Sequence, residues 1–248
     1  MLTIKNQAEI DRMRRAGYIV AEVLALMSEL VKPGITTKDL DVAAEKLIRS
    51  RGAKPLFLGY GGFPASICTS VNEQVVHGIP GNRVLQAGDI ISIDVGAEKN
   101  GYCGDAARTF AVGEIDSEIR RLLEVTELSL QRGLQKAVHK NRLGDIAHCV
   151  QKTVEDAGFS VVRDYTGHGI GKQMHEDPAV PNYGKAGSLM RLVNGMALAI
   201  EPMVNMGTHK VITLSDGWTV VTRDLLPSAH FENTVAITSK GPQILTVL

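Results

Sequence analysis

Five residues scattered along the chain carry groups that could act together: Asp94, Asp105, His168, Glu201 and Glu232. Asp94 sits inside the apolar run "ISIDVG" (91–96), and Asp105 closes "KNGYCGD" (99–105), just after an Asn-Gly pair. A buried carboxylate is costly unless it is paired, protonated or bound to a cation. Two of them close together repel, so one proton or one metal has to settle the charge. Asn-Gly at 100–101 is a strong hairpin signal. A two-residue loop there sets Gly96 opposite Asp105, with Asp94 on the same face one diagonal step away. A loop centred on Lys99 and Asn100 sets the aspartates directly opposite instead. Either even-length loop points both carboxylates to one side, whereas an odd-length loop without a bulge separates them. Taken alone, the pair also reads as turn-proximal acids held by Arg108.

Three later stretches shift that balance. "TGHGIG" (166–171) places His168 between glycines, where backbone can approach a ligand closely. "ALAIEPM" (197–203) is a buried-looking strand ending in Glu201, and Pro202 enforces extended geometry on that glutamate. "HFENTVAIT" (230–238) starts a further strand with Glu232 inside it. Each alone has a plain reading as a loop histidine or a strand-end acid. Together, four carboxylates and one imidazole lie in strand-like apolar sequence without a matching number of embedded Lys or Arg. A divalent metal pair is the economical compensation. Two cations roughly 3.5–4 Å apart, bridged by carboxylates, hold a shared water and lower its pKa toward neutrality. An oxygen-rich set with one nitrogen and no sulfur suits cobalt, manganese or iron(II), leaves zinc as a further candidate, and argues against a structural zinc site.

The rest of the composition narrows the classes. The 27 basic residues balance 27 acidic ones, so no overall field favours nucleic acid or an anionic membrane. The basic "RMRR" at 12–15 reads as a solvated helix face. Cys68, Cys103 and Cys149 are odd in number and show no Cys-x-x-Cys spacing, which leaves no disulfide framework. No apolar run is long enough to span a bilayer, and "MLTIKNQAEI" lacks a signal-peptide core. The expectation is a reduced, cytoplasmic, soluble protein.

These groups need a scaffold. Apolar spacing predicts a helix over 9–30, stopped by "KPG" at 32–34. Thr36 with Asp39 forms a capping pattern for a second helix that carries Leu40, Ala44, Leu47 and Ile48 inward and ends at Gly52. The glycine-rich and β-branched middle, 56–112, reads as strands and turns. Helices are expected over 117–139 and 144–157, and short strands from 160 onward. "DLDVAAEKLIRSRG" (39–52) and "DIAHCVQKTVEDAG" (145–158) share Asp, Lys and the terminal Gly at one offset, which suggests an internal duplication. The expected fold is α+β: one catalytic domain over 1–248, in two halves of about 1–112 and 113–248, with helices covering a curved sheet.

Five ordered motifs carry a resemblance: "SVNEQVVHGIP" (70–80), "DVGAEKNGYCGDAARTF" (94–110), "GHGIGKQMHEDP" (167–178), "AIEPM" (199–203) and "FENTVAIT" (231–238). The chain resembles the methionine aminopeptidases, within the creatinase/aminopeptidase or "pita-bread" fold of pseudo-two-fold duplicated helices over a mainly antiparallel sheet. It starts almost at once with the first helix and carries no large insertion between "GHGIG" and "EPM", which is similar to the short type I, bacterial form. The resemblance implies that Asp94 chelates one metal, that Asp105 and Glu232 bridge both, and that His168 with Glu201 completes the second. A carboxylate is needed for bridging, since an imidazole nitrogen has a single lone pair. The implied reaction is removal of the N-terminal methionine from proteins and peptides by a metal-bridged hydroxide, with Glu201 taking the water's proton. His77 and His175 resemble the family's substrate-facing pair, and Tyr60, Phe63, Cys68 and Trp218 resemble its pocket. The implied partners are nascent polypeptides, met on or off the ribosome by a monomer.

Three positions depart from the family's usual pattern: Met174 where an aromatic is common, His230 for Gln, and Asn233 for His. His230 and Glu232 are expected on one strand face, which would set His230 behind the metals. The rival readings are an Xaa-Pro aminopeptidase or prolidase, which usually carries a large extra N-terminal domain, and a non-catalytic peptide-binding member, which typically loses metal ligands.

Overall fold

The structure, a computed structural model, describes residues 2–248. Helix α1 (Gln7–Leu30) begins two residues before its expected start because Asn6 caps it. The Asn6 side chain accepts from the Glu9 amide while Glu9 accepts from the Asn6 amide, a reciprocal arrangement that satisfies two orphan donors. Helix α2 (Thr37–Ser50) is capped in the same way by Thr36 and Asp39, and Gly52 turns the chain at φ +62°. Strands β1 (Lys54–Pro55), β2 (Cys68–Val71), β3 (Gln74–Val76), β4 (Ile90–Lys99) and β5 (Tyr102–Ala111) follow. Helix α3 (Ser117–Lys136) stops short of 139, where Asn141 donates to the Lys136 carbonyl, and α4 spans Leu143–Glu155. The rest is short strands: β6 (Ser160–Val161), β7 (Gly167–Gly169), β8 (Glu176–Val180), β9 (Ala197–Ile200), β10 (Met203–Asn205), β11 (Val211–Thr213), β12 (Val220–Thr222), β13 (Ser228–His230), β14 (Asn233–Thr238) and β15 (Gly241–Ile244).

Every strand pairing among the described residues is antiparallel, and the pairings divide the curved surface into four sheets. The β4–β5 hairpin turns through Asn100 (φ 53°) and Gly101 (φ 79°), both left-handed as a two-residue primed turn requires. Alternation along β4 sends Ile91, Ile93, Val95 and Ala97 into a core with Val20, Val23 and Met27 of α1 and Leu40 and Ile48 of α2. Ser92, Asp94 and Gly96 therefore face the other way. Helix α1 lies close on the hairpin because Gly17 meets Gly104; a Cβ on Gly104 would stand 2.6 Å from the Gly17 amide nitrogen. The second core packs Leu130 and Leu134 of α3 and Ile146 and Val150 of α4 over Leu198, Ile200, Val235 and Ile237 of the sheet β15-β14-β9-β7-β8.

Thr234 joins the two layers across the middle. Its hydroxyl donates to the Asp105 carbonyl at 2.8 Å and accepts from the Asp105 amide at 3.1 Å. Thr109 likewise donates to the His230 carbonyl and accepts from its amide, both at 2.9 Å. These contacts set β5 of the first half against β13 and β14 of the second.

Candidate metal and active site

The hairpin register sets Gly96 opposite Asp105 and Asp94 opposite Ala107, which is the two-residue-loop alternative. On the other side of β4, Asp94 is paired with Cys68, so the thiol and the carboxylate are neighbours. His168 lies on β7 opposite Ala199 of β9, and Ala199 lies opposite Thr234 of β14. Glu201 follows directly after β9, and Asn182 donates to its carbonyl at 2.9 Å.

Glu232 differs from its expected place. It lies in a break between β13 and β14, so it does not share a strand with His230. Met203 pairs with His230 and Ile200 pairs with Asn233, which leaves Phe231 and Glu232 facing Glu201 and Pro202. Pro202 has no N–H to continue the ladder. The Glu232 amide instead donates to the Ala107 carbonyl at 2.9 Å, and Arg108 donates to the Glu232 carbonyl at 2.5 Å. Arg108 also donates to the Ala107 carbonyl and the Asn233 side chain. Among the described residues it makes no ion pair with Asp94 or Asp105, so the plainer explanation of those two acids fails. Asn233 is occupied by Arg108 and Thr246 and has a structural place. His230 still reaches the cluster, with Nε2 3.5 Å from Glu201 Oε2.

The five metal-ligand candidates line one cavity of about 130 Å³ together with His77, His175, Tyr60, Phe63, Cys68 and Trp218, while His230 and Asn233 lie outside its lining. Ligand atoms of Asp105, His168 and Glu232 lie within 4.8 Å of one another, with Asp94 and Glu201 flanking them in the same wall. The apolar end adds Phe57 and Met174. Phe63 meets Trp218 edge to face at 5.1 Å, and His77 meets Tyr165 at 5.6 Å in the same way. The Tyr60 hydroxyl and His175 Nδ1 are 2.7 Å apart, and the rings of His168 and His175 meet at 4.3 Å. His77 holds φ +60°, a left-handed backbone uncommon outside glycine and frequent at functional sites.

The electrostatics call for a cation. Oxygens of Asp94, Asp105 and Glu232 and Nε2 of His230 are buried without hydrogen-bond partners, a state that buried polar groups normally avoid. Burial pushes Asp94 up to about 7 and Glu201 up to about 8. Asp105 and Glu232 rise well above the carboxylate range, first through burial and then through repulsion from neighbouring acids. By position His168 could supply the compensating charge, as its Nε2 stands 3.6 Å from Glu201 and 4.0 Å from Asp105. Burial, reinforced by His175, instead brings it down to about 4, so the ring is neutral at neutral pH. Its Nδ1 is 2.9 Å from the Gly169 carbonyl, an acceptor only, which fixes the proton there. The Nε2 lone pair therefore faces carboxylate oxygens, an arrangement that a proton or a cation between them relieves. The donor set fits a hard or borderline divalent metal.

Phe57, Tyr165 and Asn182 were not found by sequence reasoning. Phe57 carries a weak signal, standing just upstream of "GYGGF"; the other two act through tertiary contacts that no local pattern marks.

A family model described as metallopeptidase family M24 matches residues 11–239. The chain is 60% identical to a methionine aminopeptidase of Clostridium acetobutylicum, over 100% of this chain and 99% of that one. It superposes on the crystal structure of methionine aminopeptidase from Thermotoga maritima with a TM-score of 0.99 at 46% identity, covering the whole of both chains. Prolidase from Pyrococcus furiosus shares the fold at a TM-score of 0.79 and 22% identity, over 99% of this chain and 65% of that one. The chain belongs to metallopeptidase family M24 and, within its pita-bread fold, to the type I methionine aminopeptidases.

Proposed function

We propose that this enzyme removes the N-terminal methionine from peptides and nascent proteins. The supporting observation is a cavity with a carboxylate–imidazole cluster at one end and an apolar slot at the other. A flexible thioether suits a wall of Phe57, Phe63, Cys68, Met174 and Trp218. Asp94, Asp105 and Glu232 with His168 and Glu201 would hold two divalent ions, of which cobalt, manganese and iron(II) suit the donors best and zinc remains a candidate. When bound, such ions polarise the first peptide carbonyl and activate a water.

The chain's own groups do the remaining work. Glu201, whose burial favours the protonated form, takes a proton on its carboxylate and returns it to the leaving amine. Tyr60 donates its hydroxyl proton to Nδ1 of His175, which leaves the His175 Nε2–H free to donate to the carbonyl oxygen as charge develops there. His77, brought down to about 4 mainly by burial, contacts the scissile amide as a neutral ring. Three free thiols suit the reducing cytoplasm, and no helix among the described residues is long and apolar enough to cross a membrane. The protein acts as a monomer on chains leaving the ribosome.

The test compares methionine release from Met-Ala-Ser with cleavage of a peptide carrying proline in second position. Preferred release from Met-Ala-Ser supports the reading. A strict requirement for proline assigns the cavity to the prolidase class.

A further inference from the structure

Just outside the cavity, a buried ion pair ties the N-terminal segment to the turn that carries His175. Lys5 Nζ stands 2.7 Å from Glu176 Oε2, with side-chain exposures of 5% and 9%. Thr3 donates its hydroxyl to the same oxygen, and Lys5 also reaches the Thr3 carbonyl. The other oxygen, Glu176 Oε1, accepts from the amides of Lys172 and Gln173 at 2.9 and 3.2 Å. Glu176 therefore closes 172–176 into a ring, and Met174 and His175 within it line the cavity. Space is set aside for this contact: a Cβ on Gly171 would come within 2.6 Å of both Glu176 Oε1 and Lys5 Cε. Lys5 is itself fixed to the sheet, since its amide donates to the Gly195 carbonyl at 2.8 Å.

A buried lysine and glutamate gain little net stability from pairing, because both must be stripped of water. What a pair in this place supplies is a fixed position for the carboxylate and for the turn around it. We propose that Lys5 is a positioning residue: through Glu176 it holds the 172–176 turn so that His175 faces the scissile carbonyl. The proposal rests on the reading of His175 as substrate-facing. It gives the first residues of the chain a part in turnover although Lys5 does not line the cavity.

The experiment is a double-mutant cycle on methionine release from Met-Ala-Ser by the manganese-loaded enzyme, paired with amide hydrogen exchange over 172–176 in metal-free protein. Lys5→Met should lower kcat about tenfold, in keeping with the cost of a sub-ångström misplacement. It should raise exchange in the turn by a similar factor. Lys5→Arg should restore both. On a His175→Ala background, Lys5→Met should cost nothing further, whereas a merely structural role would cost the same on either background. If Lys5→Met does not fold, Thr3→Ala enters the same cycle with an expected loss of about threefold. Normal kcat in Lys5→Met beside a crippled His175→Ala overturns the proposal alone. Normal kcat in His175→Ala overturns the substrate-facing reading and the proposal with it.

Discussion

His168 Nε2 and Glu201 Oε1 face each other at 3.6 Å. The proton of His168 is committed to the Gly169 carbonyl, and the carboxyl of Glu201 is pushed up to about 8. Without a cation, the cluster relieves its repulsion by taking up protons.

Metal binding should therefore release protons. Asp94 and Glu201, at about 7 and 8, are largely protonated at pH 6.5 in metal-free protein and must ionise to ligate. Because their folded values lie above their unfolded ones, their stabilising contribution is complete near pH 4 and is lost as pH rises through 7 to 8. His77 and His168, brought down to about 4, act oppositely, costing stability as pH falls from 6.5 toward 4. Between pH 6.5 and 8 the loss from the raised carboxyl groups outweighs the small remaining gain from the histidines, so the Tm of chelated protein should fall over that range. Added Mn(II) should abolish the fall. Calorimetry in two buffers of different ionisation enthalpy checks the proton release.

Asp105→Asn separates function from stability. The amide keeps the shape but removes an ionisable carboxyl that is buried beside Asp94 and Glu201. Turnover should drop by more than about a thousandfold, the order expected when a ligand that organises the reacting centre is lost. Chelated Asp105→Asn should melt higher than chelated wild type at pH 8, because the wild-type carboxyl, ionised in the unfolded chain, has to take up a proton to be buried there. Steady-state kinetics and thermal melts on one preparation read both effects.

Tyr60→Phe removes the hydroxyl 2.7 Å from His175 Nδ1, which in the proposed mechanism fixes the His175 tautomer. The expected result is a fall in kcat of about three- to tenfold, against about a hundredfold for His175→Ala, which removes the proposed oxyanion donor itself. KM should hardly change in Tyr60→Phe, since the ring wall stays in place. A kcat and KM split for the two variants is the check.

Asp41 anchors the pocket wall from α2. Its Oδ1 accepts from the amides of Ser66 and Ile67 at 2.8 and 3.1 Å, between Phe63 and Cys68, both of which line the cavity. Asp41→Ala leaves two donors unsatisfied, at a cost of about 1–3 kcal/mol in stability. The loosened wall should raise KM for methionyl peptides several-fold with kcat within about twofold. Urea unfolding alongside kinetics measures both.

The parts of this molecule that local chemistry dictates were legible in the sequence. Asn100-Gly101 announced the turn that puts Asp94 and Asp105 on one face, and Thr36 with Asp39 announced the start of α2. The start of α1 was missed by two residues, because Asn6 and Glu9 had not been read as a cap. Glu232 was placed inside a strand because the break there is imposed from a distant segment, by Pro202, whose missing N–H interrupts the ladder. Asn182, Tyr165 and Asp41 were invisible for a related reason. Each acts through contacts to a remote part of the chain, with no periodicity or spacing to mark them. The departure at Asn233 has a structural answer in its bonds to Arg108 and Thr246, while His230 stands against Glu201.

The most direct measurement is methionine release from Met-Ala-Ser by exhaustively chelated enzyme, before and after a divalent ion is returned. The account predicts no release from the stripped protein and recovery on adding cobalt, manganese or iron(II), with no recovery in Glu232→Ala. Undiminished release after stripping, with metal content verified at zero by elemental analysis, would contradict it.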